Sequence, residues 1–224
     1  MRFGSFFFLF VQNTITYHPR SGDAADDILV RRRKRAAWFA APGLDVIGGV
    51  TMARPRTSAF VGVSLDGFLA RPDGSLDWLT PFEGEEHGYK SFFESIDTLV
   101  IGRKTYEFVL TIPWPYSGKR CIVMTHRPVA SQNGERAYAG EPAGLLLQLE
   151  AEGAQHVYVD GGAVIRAFLA AGLLDDLTMT IVPSLIGEGL PLFGGVKLES
   201  GLVLEEVKSF NDKLVQLRYR MPKG

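Results

Sequence analysis

HVYVDGGAVIRAFL, residues 156–169, is the stretch on which the fold turns. An apolar, β-branched run ends at a pair of glycines, and a helical pattern follows at once. The chain does the same at TLVIGRKTYE, residues 98–107, where a buried strand ends at Gly102. A helix start offers unpaired backbone N–H groups and the positive end of the helix dipole, which together favour a phosphate. Glycine lets that phosphate approach the backbone. Two such places in one small domain predict a ligand with more than one phosphate, such as a dinucleotide. Arg103 and Thr105 add a fixed cation and a hydroxyl, and Gly161–Gly162 removes two successive Cβ atoms. A lone strand–Gly–helix turn is common for purely structural reasons, so the weight lies on the pair. Neither motif is a Walker sequence or a G-x-G-x-x-G fingerprint.

Outward from these motifs, periodicity predicts strands at Ser58–Ser64, Thr98–Ile101, Cys121–Met124, His156–Val159 and Leu177–Val182. It predicts a final antiparallel pair, Leu202–Lys208 and Leu214–Met221. Helices are expected from about Glu83 to Ser95, after Gly102, over Ala143–Ala151, and over Ala163–Ala170 with Gly172 as C-cap. Ile112–Ser117, broken by prolines, and Pro183–Gly195 are expected loops. Strands separated by helices and closed by a strand pair make an α/β chain: a mostly parallel central sheet with an antiparallel C-terminal edge.

The chain has 224 residues, 46% of them hydrophobic and 22% charged, with a formal net charge of −1. That composition suits one globular domain with a sizeable core. Its balance gives no global reason to expect a nucleic-acid partner, and no segment is long and apolar enough to span a membrane. The single cysteine, Cys121, excludes an internal disulfide and any cysteine metal cluster. It sits in an apolar run and reads as a buried structural thiol, which fits a reducing, cytoplasmic setting. Residues 1–51 differ from the rest. They hold the run Phe6–Phe10, the acids Asp23, Asp26 and Asp27, and the basic run Arg31–Arg35. They match neither a signal peptide nor an acid-poor transit segment. We read residues 1–51 as an extension, with Met52 as the expected natural start of a domain spanning 52–224. The basic run could serve as a nucleic-acid or membrane-surface patch, but without aromatic interleaving or a repeat it reads as a solvated tail.

The motifs GRKTYE and VDGGAVIRAFL, with SLDG at Ser64–Gly67 before them, resemble the dihydrofolate reductase-like fold. With LLDDLTMTIVPSLIGEGLPLF, residues 173–193, the likeness is closer to its riboflavin-biosynthesis reductase branch, the C-terminal half of the bifunctional deaminase-reductases. The resemblance spans most of residues 57–220. It implies a three-layer fold that binds NADPH across the sheet and transfers hydride to a C=N or C=O bond of a small heterocycle or sugar. By matching position it implies that Gly102, Arg103 and Thr105 contact cofactor phosphates and that Gly161, Gly162, Ala163 and Val164 lie beneath the pyrophosphate. Thr125, His126 and Arg127 fall where the family holds the adenosine 2′-phosphate. A hydroxyl and a cation there have a physical reason to prefer NADP, while the bland alternative is a polar turn before Pro128.

On the acceptor side the resemblance implies Asp66 and Glu86 as catalytic acids, with Trp78, Tyr89 and Lys119 bordering the substrate. Counting back from GRKTYE without a gap places Glu86 where the family's pterin-binding acid lies, and helical spacing would put it on one face with Tyr89, Lys90 and Phe93. Glu86 as a solvated first-turn carboxylate and Asp66 as a turn residue before Gly67 are the alternatives. Folate-reducing members carry an arginine where this chain offers Lys119, which lacks the two-pronged donor that suits a carboxylate. The expected function is therefore NADPH-dependent reduction of a pyrimidine- or pterin-like heterocycle, of the 5-amino-6-(5-phosphoribosylamino)uracil reductase type. A dihydrofolate reductase proper and a non-catalytic NADP-binding module are the alternatives. No zinc signature of a deaminase accompanies the domain. The resemblance also implies a homodimer formed through the sheet region.

Overall fold

The computed structural model describes residues 54–82, 87–196, 199, 201–210 and 213–222. The extension over residues 1–51 and Glu86 lie outside the described residues. The described residues form ten strands: β1 Arg56–Ser64, β2 Phe68–Ala70, β3 Thr98–Gly102, β4 Arg120–Met124, β5 Arg136–Tyr138, β6 His156–Asp160, β7 Asp176–Val182, β8 Leu190–Pro191, β9 Val203–Phe210 and β10 Leu214–Arg220. The α-helices are α1 Tyr89–Ser95, α2 Arg103–Val109, α3 Pro142–Ala151 and α4 Gly162–Ala170, and Asp77–Phe82 forms a 3-10 helix.

Eight strands make one sheet in the order β5-β4-β3-β6-β1-β7-β10-β9. Pairing is parallel from β5 to β7, and antiparallel where β10 meets β7 and β9. The expected parallel sheet with an antiparallel C-terminal edge is what forms. Strand β5 and the small β2–β8 pair are additions. Both are too short to show a period-2 pattern.

Alternation along each strand divides the core between two faces. Phe60, Leu99, Ile101, Cys121, Val123 and Tyr158 pack with Tyr89 and Phe93 of α1 and Tyr106 and Val109 of α2. Their strand neighbours Ala59, Val61, Val100, Ile122, Val157 and Val159 pack on the other face with Leu145 and Leu149 of α3 and Ile165 and Phe168 of α4. Strands buried on both faces explain the near-continuous apolar runs of the sequence. Helix α4 ends as expected: Gly172, at φ 65°, lets its own N–H reach the Leu169 carbonyl and the Leu173 N–H reach that of Phe168, a Schellman closure. The antiparallel edge leaves a row of apolar side chains in solvent, with Val203, Leu204, Val207 and Val215 exposed. Among the described residues no helix is long and apolar enough to cross a membrane.

One helix departs from expectation. The stretch from Glu83 to Ser95 is not a single helix, because α1 opens at Tyr89, after Gly88 in a left-handed conformation. Tyr89 and Phe93 are buried in the core while Lys90 is exposed. The face those residues were expected to present to a ligand is therefore largely a packing face. The acids at 83, 85 and 86 led the sequence pattern to an earlier start, whereas α1 opens directly after Gly88.

Candidate active site

Strands β3 and β6 are parallel neighbours, with Ile101 beside Asp160. The two glycine motifs therefore leave the same edge of the sheet side by side and open a cavity of about 800 Å³ at the strand ends. Cavities of this size at the carboxyl ends of parallel strands are the usual ligand sites of such sheets. The motifs touch. Gly161 has φ 90°, and a Cβ there would stand 2.5 Å from Thr105 Oγ1. A Cβ on Gly162 would come within 2.7 Å of Leu69 Cδ1, and one on Gly102 within 3.2 Å of Val164 Cγ2. No side chain caps the start of α2 or α4. A cradle of glycines between two uncapped helix starts fits the phosphates of a nucleotide cofactor.

Of the residues expected to hold the cofactor, Gly102, Arg103, Thr105, Gly161, Gly162, Ala163 and Val164 all line the cavity. Arg103 Nε donates to Glu107 Oε1 at 2.7 Å and its Nη1 to the Pro128 carbonyl at 2.7 Å, which ties α2 to the loop after β4. Lys104 and Arg166 line the cavity too. Both escape the motif argument, Lys104 because it lies between the two matched positions and Arg166 because it is one helical turn beyond the glycines. Arg166 Nη1 donates to the Pro191 carbonyl at 2.7 Å, joining α4 to β8.

Thr125, His126 and Arg127 are placed differently from expectation. The cavity wall ends at Met124. Beyond it the Arg127 N–H donates to Thr125 Oγ1 at 3.1 Å in a polar turn, with His126 and Arg127 exposed. The cations that face the cavity are those on the helix starts instead.

The acceptor-side residues separate. Tyr89 lines the cavity, buried and edge-on to Phe60 with ring centroids 5.6 Å apart. Trp78 is buried in the aromatic core and does not reach the cavity wall. Lys119 caps the end of α1 rather than a ligand: its Nζ donates to the Ile96 carbonyl and lies 5.3 Å from the Phe93 ring centre. Asp66 likewise has structural work. Its carboxylate accepts the Gly187 N–H at 2.8 Å and the Ile186 N–H at 3.1 Å, pinning the loop after β7. The Ser64 hydroxyl and these N–H groups hold its carboxyl below the usual carboxylate range.

A different acid occupies the cavity floor. Asp160 ends β6 directly before the glycine pair, 6% exposed, and lines the cavity. Its Oδ1 accepts the Gly161 N–H at 2.8 Å, while its Oδ2 is buried with no hydrogen-bond partner among the described residues. Burial pushes its carboxyl up to about 6. The hydroxyls of Tyr116 and Tyr158 stand close enough to temper that rise. The first makes no aligned hydrogen bond, and the second donates to the Phe60 carbonyl at 3.0 Å. Oδ2 is thus enclosed beside the tyrosine hydroxyls of the aromatic core. Burial and the Asp160 charge raise the hydroxyls of Tyr89, Tyr116 and Tyr158 well above their ordinary value. The sole signal for Asp160 in the sequence is an acid closing an otherwise apolar strand.

The sheet order, the paired helix starts and the cavity between them define a dihydrofolate reductase-like fold. Dihydrofolate reductase from Enterococcus faecalis, solved with NADP(H), superposes with a TM-score of 0.52 over 75% of this chain and 97% of its own, at 21% identity. The chain belongs to the RibD C-terminal domain family, which it matches over residues 56–215. It is 37% identical over 169 residues to the uncharacterised protein YwjB of Bacillus subtilis, covering 73% of this chain and 97% of that one. A structure from Shewanella sp. PV-4, ascribed to riboflavin biosynthesis, superposes with a TM-score of 0.69 and 32% identity, covering 75% of this chain and 99% of its own. The family is one of riboflavin-pathway-like reductases.

Proposed function

We propose that the protein is an NADPH-dependent reductase of a small pyrimidine- or pterin-like heterocycle, with 5-amino-6-(5-phosphoribosylamino)uracil reduction as the nearest named reaction type. One observation carries this reading: two uncapped, glycine-cradled helix starts and a buried acid line a single cavity. Gly102, Thr105 and Gly161–Val164 would hold the pyrophosphate, with Arg103, Lys104 and Arg166 as counter-charges. When bound, NADPH supplies the hydride that a C=N or C=O carbon accepts, and the acceptor's nitrogen or oxygen takes a proton.

The chain's own part is to orient the acceptor against the Phe60 and Tyr89 rings, exclude water and hold charge at Asp160. A carboxyl near 6 can hold or release a proton close to neutral pH; the resemblance named Asp66 and Glu86 as the catalytic acids and left the proton donor open. The implied homodimer is a proposal of the same kind, and the exposed apolar row on β9 and β10 is the surface that would carry it.

Titration of the full chain with NADPH and, separately, NADH, followed by protein fluorescence, tests the cofactor. Tight NADPH and weak NADH binding is expected, and binding of neither overturns the reading. Binding without NADPH oxidation across a panel of pyrimidine and pterin acceptors would instead favour the non-catalytic module.

A further inference from the structure

Arg103 lines the cavity from the first position of α2, and contacts within the protein fix its guanidinium. Nε donates to Glu107 Oε1 at 2.7 Å and Nη1 to the Pro128 carbonyl at 2.7 Å. Its Cζ lies over the ring of Tyr106, 5.8 Å from the centroid, and Tyr106 is buried in the aromatic core. Nη2 makes no hydrogen bond among the described residues. Nε and Nη1 are thus spent on holding the group, and Nη2 is left for a ligand. Glu107 lines the cavity beside it. The bond from Arg103, with a weaker pull from Arg127, keeps its carboxyl below the usual range, so it is charged at neutral pH.

An ion pair four residues apart is ordinarily a minor stabiliser of its helix. This one is built the unfavourable way round. The cation stands at the start of α2, against the positive end of the dipole, and the acid in the last turn, against the negative end. Cation before acid is also the weaker order along a helix. The return in helix stability is therefore poor. What the pair does achieve is to hold a long, flexible side chain in one direction. An unrestrained arginine must give up that freedom when it grips a phosphate, and the cost falls on binding. We propose that Glu107 is a positioning residue for the cofactor: its carboxylate, with the Pro128 carbonyl, sets Arg103 so that Nη2 meets a cofactor phosphate. This rests on the reductase reading above and adds a residue that acts through Arg103. A carboxylate near a phosphate is repelled by it. The site therefore draws on the acceptor oxygen at position 107 and not on its negative charge.

Two substitutions separate those properties. Glu107→Gln keeps an acceptor oxygen at the same reach and removes the charge, whereas Glu107→Ala removes both. NADPH affinity of the full chain, followed by protein fluorescence, is the readout, and urea midpoints establish that each variant folds. Glu107→Ala is expected to weaken NADPH binding about three- to tenfold, the cost of ordering one long side chain on binding. Glu107→Gln should bind NADPH no more weakly than the parent. With Arg103 already replaced by alanine, Glu107→Ala should cause no further weakening, because nothing is left to position. Undiminished affinity in Glu107→Ala, or a loss in Glu107→Gln as large as that in Glu107→Ala, overturns the inference. So does further weakening by Glu107→Ala in the Arg103→Ala background. In each of those cases the parent still binds NADPH and the reductase reading stands. A parent chain that fails to bind NADPH refutes that reading, and the inference with it.

Discussion

Replacing Asp160 with asparagine should stabilise the protein, and by an amount that depends on pH. The wild-type carboxyl is buried, one oxygen lacks a partner, and its titration moves from 3.8 to about 6. Folding thus favours the protonated form. The sign follows: any favourable contribution from this group is complete below about pH 4 and disappears as pH rises through 6, leaving a penalty at neutral pH. A difference of about 2 units corresponds to about 3 kcal/mol at pH 8 and roughly 1.5 kcal/mol at pH 5. Asparagine has nearly the same shape and cannot ionise. Its amide leaves some polar surface unpaired, but that cost is the same at both pH values and cancels in the comparison. Urea unfolding of both proteins at pH 5 and pH 8 is the assay. The variant's advantage should grow between them by about 1–2 kcal/mol. An advantage that is flat with pH, or that shrinks as pH rises, would refute the burial argument. Strain of this kind is expected where a site keeps a charge for chemistry rather than for stability.

Gly161→Ala forces a Cβ into a left-handed position 2.5 Å from Thr105 Oγ1. It should cost about 1–3 kcal/mol in a chemical melt, and adding Thr105→Ala should recover the contact part but not the backbone part. An undiminished midpoint for the single variant would mean the two motifs do not touch as described. Arg103→Ala should weaken NADPH binding by about 1.5–3 kcal/mol, whereas Arg127→Ala, outside the cavity wall, should leave it unchanged; the reverse order would restore the turn after β4 as the 2′-phosphate site. Cys121 is buried, and its thiol is pushed up to about 12. The folded protein should therefore resist iodoacetamide at pH 8, and stoichiometric labelling without unfolding would contradict that burial.

What the sequence determined by itself is the frame. The strand–glycine–helix motifs, the two-sided apolar strands and the closing antiparallel pair are local patterns, set by side-chain alternation and by residues a few positions apart. They carried the sheet, its parallel character and the two glycine motifs that line the cavity. The places where local pattern failed involve partners distant in the chain. Asp66 is held by backbone groups at 186 and 187, and Lys119 by the carbonyl of Ile96. Their chemistry is spent on loops that the sequence does not show to be near.

Only the tertiary structure decided the rest. It brought Gly161 against Thr105, set Lys104 and Arg166 on the cavity, and ended the lining at Met124, leaving Thr125–Arg127 outside. It also turned an acid at the end of a strand into the buried carboxylate of the cavity floor. Periodicity reports which face of an element is apolar, but a carboxyl's solvation depends on what packs over it. For Asp160 that is an aromatic cluster assembled from strands and loops far apart in sequence.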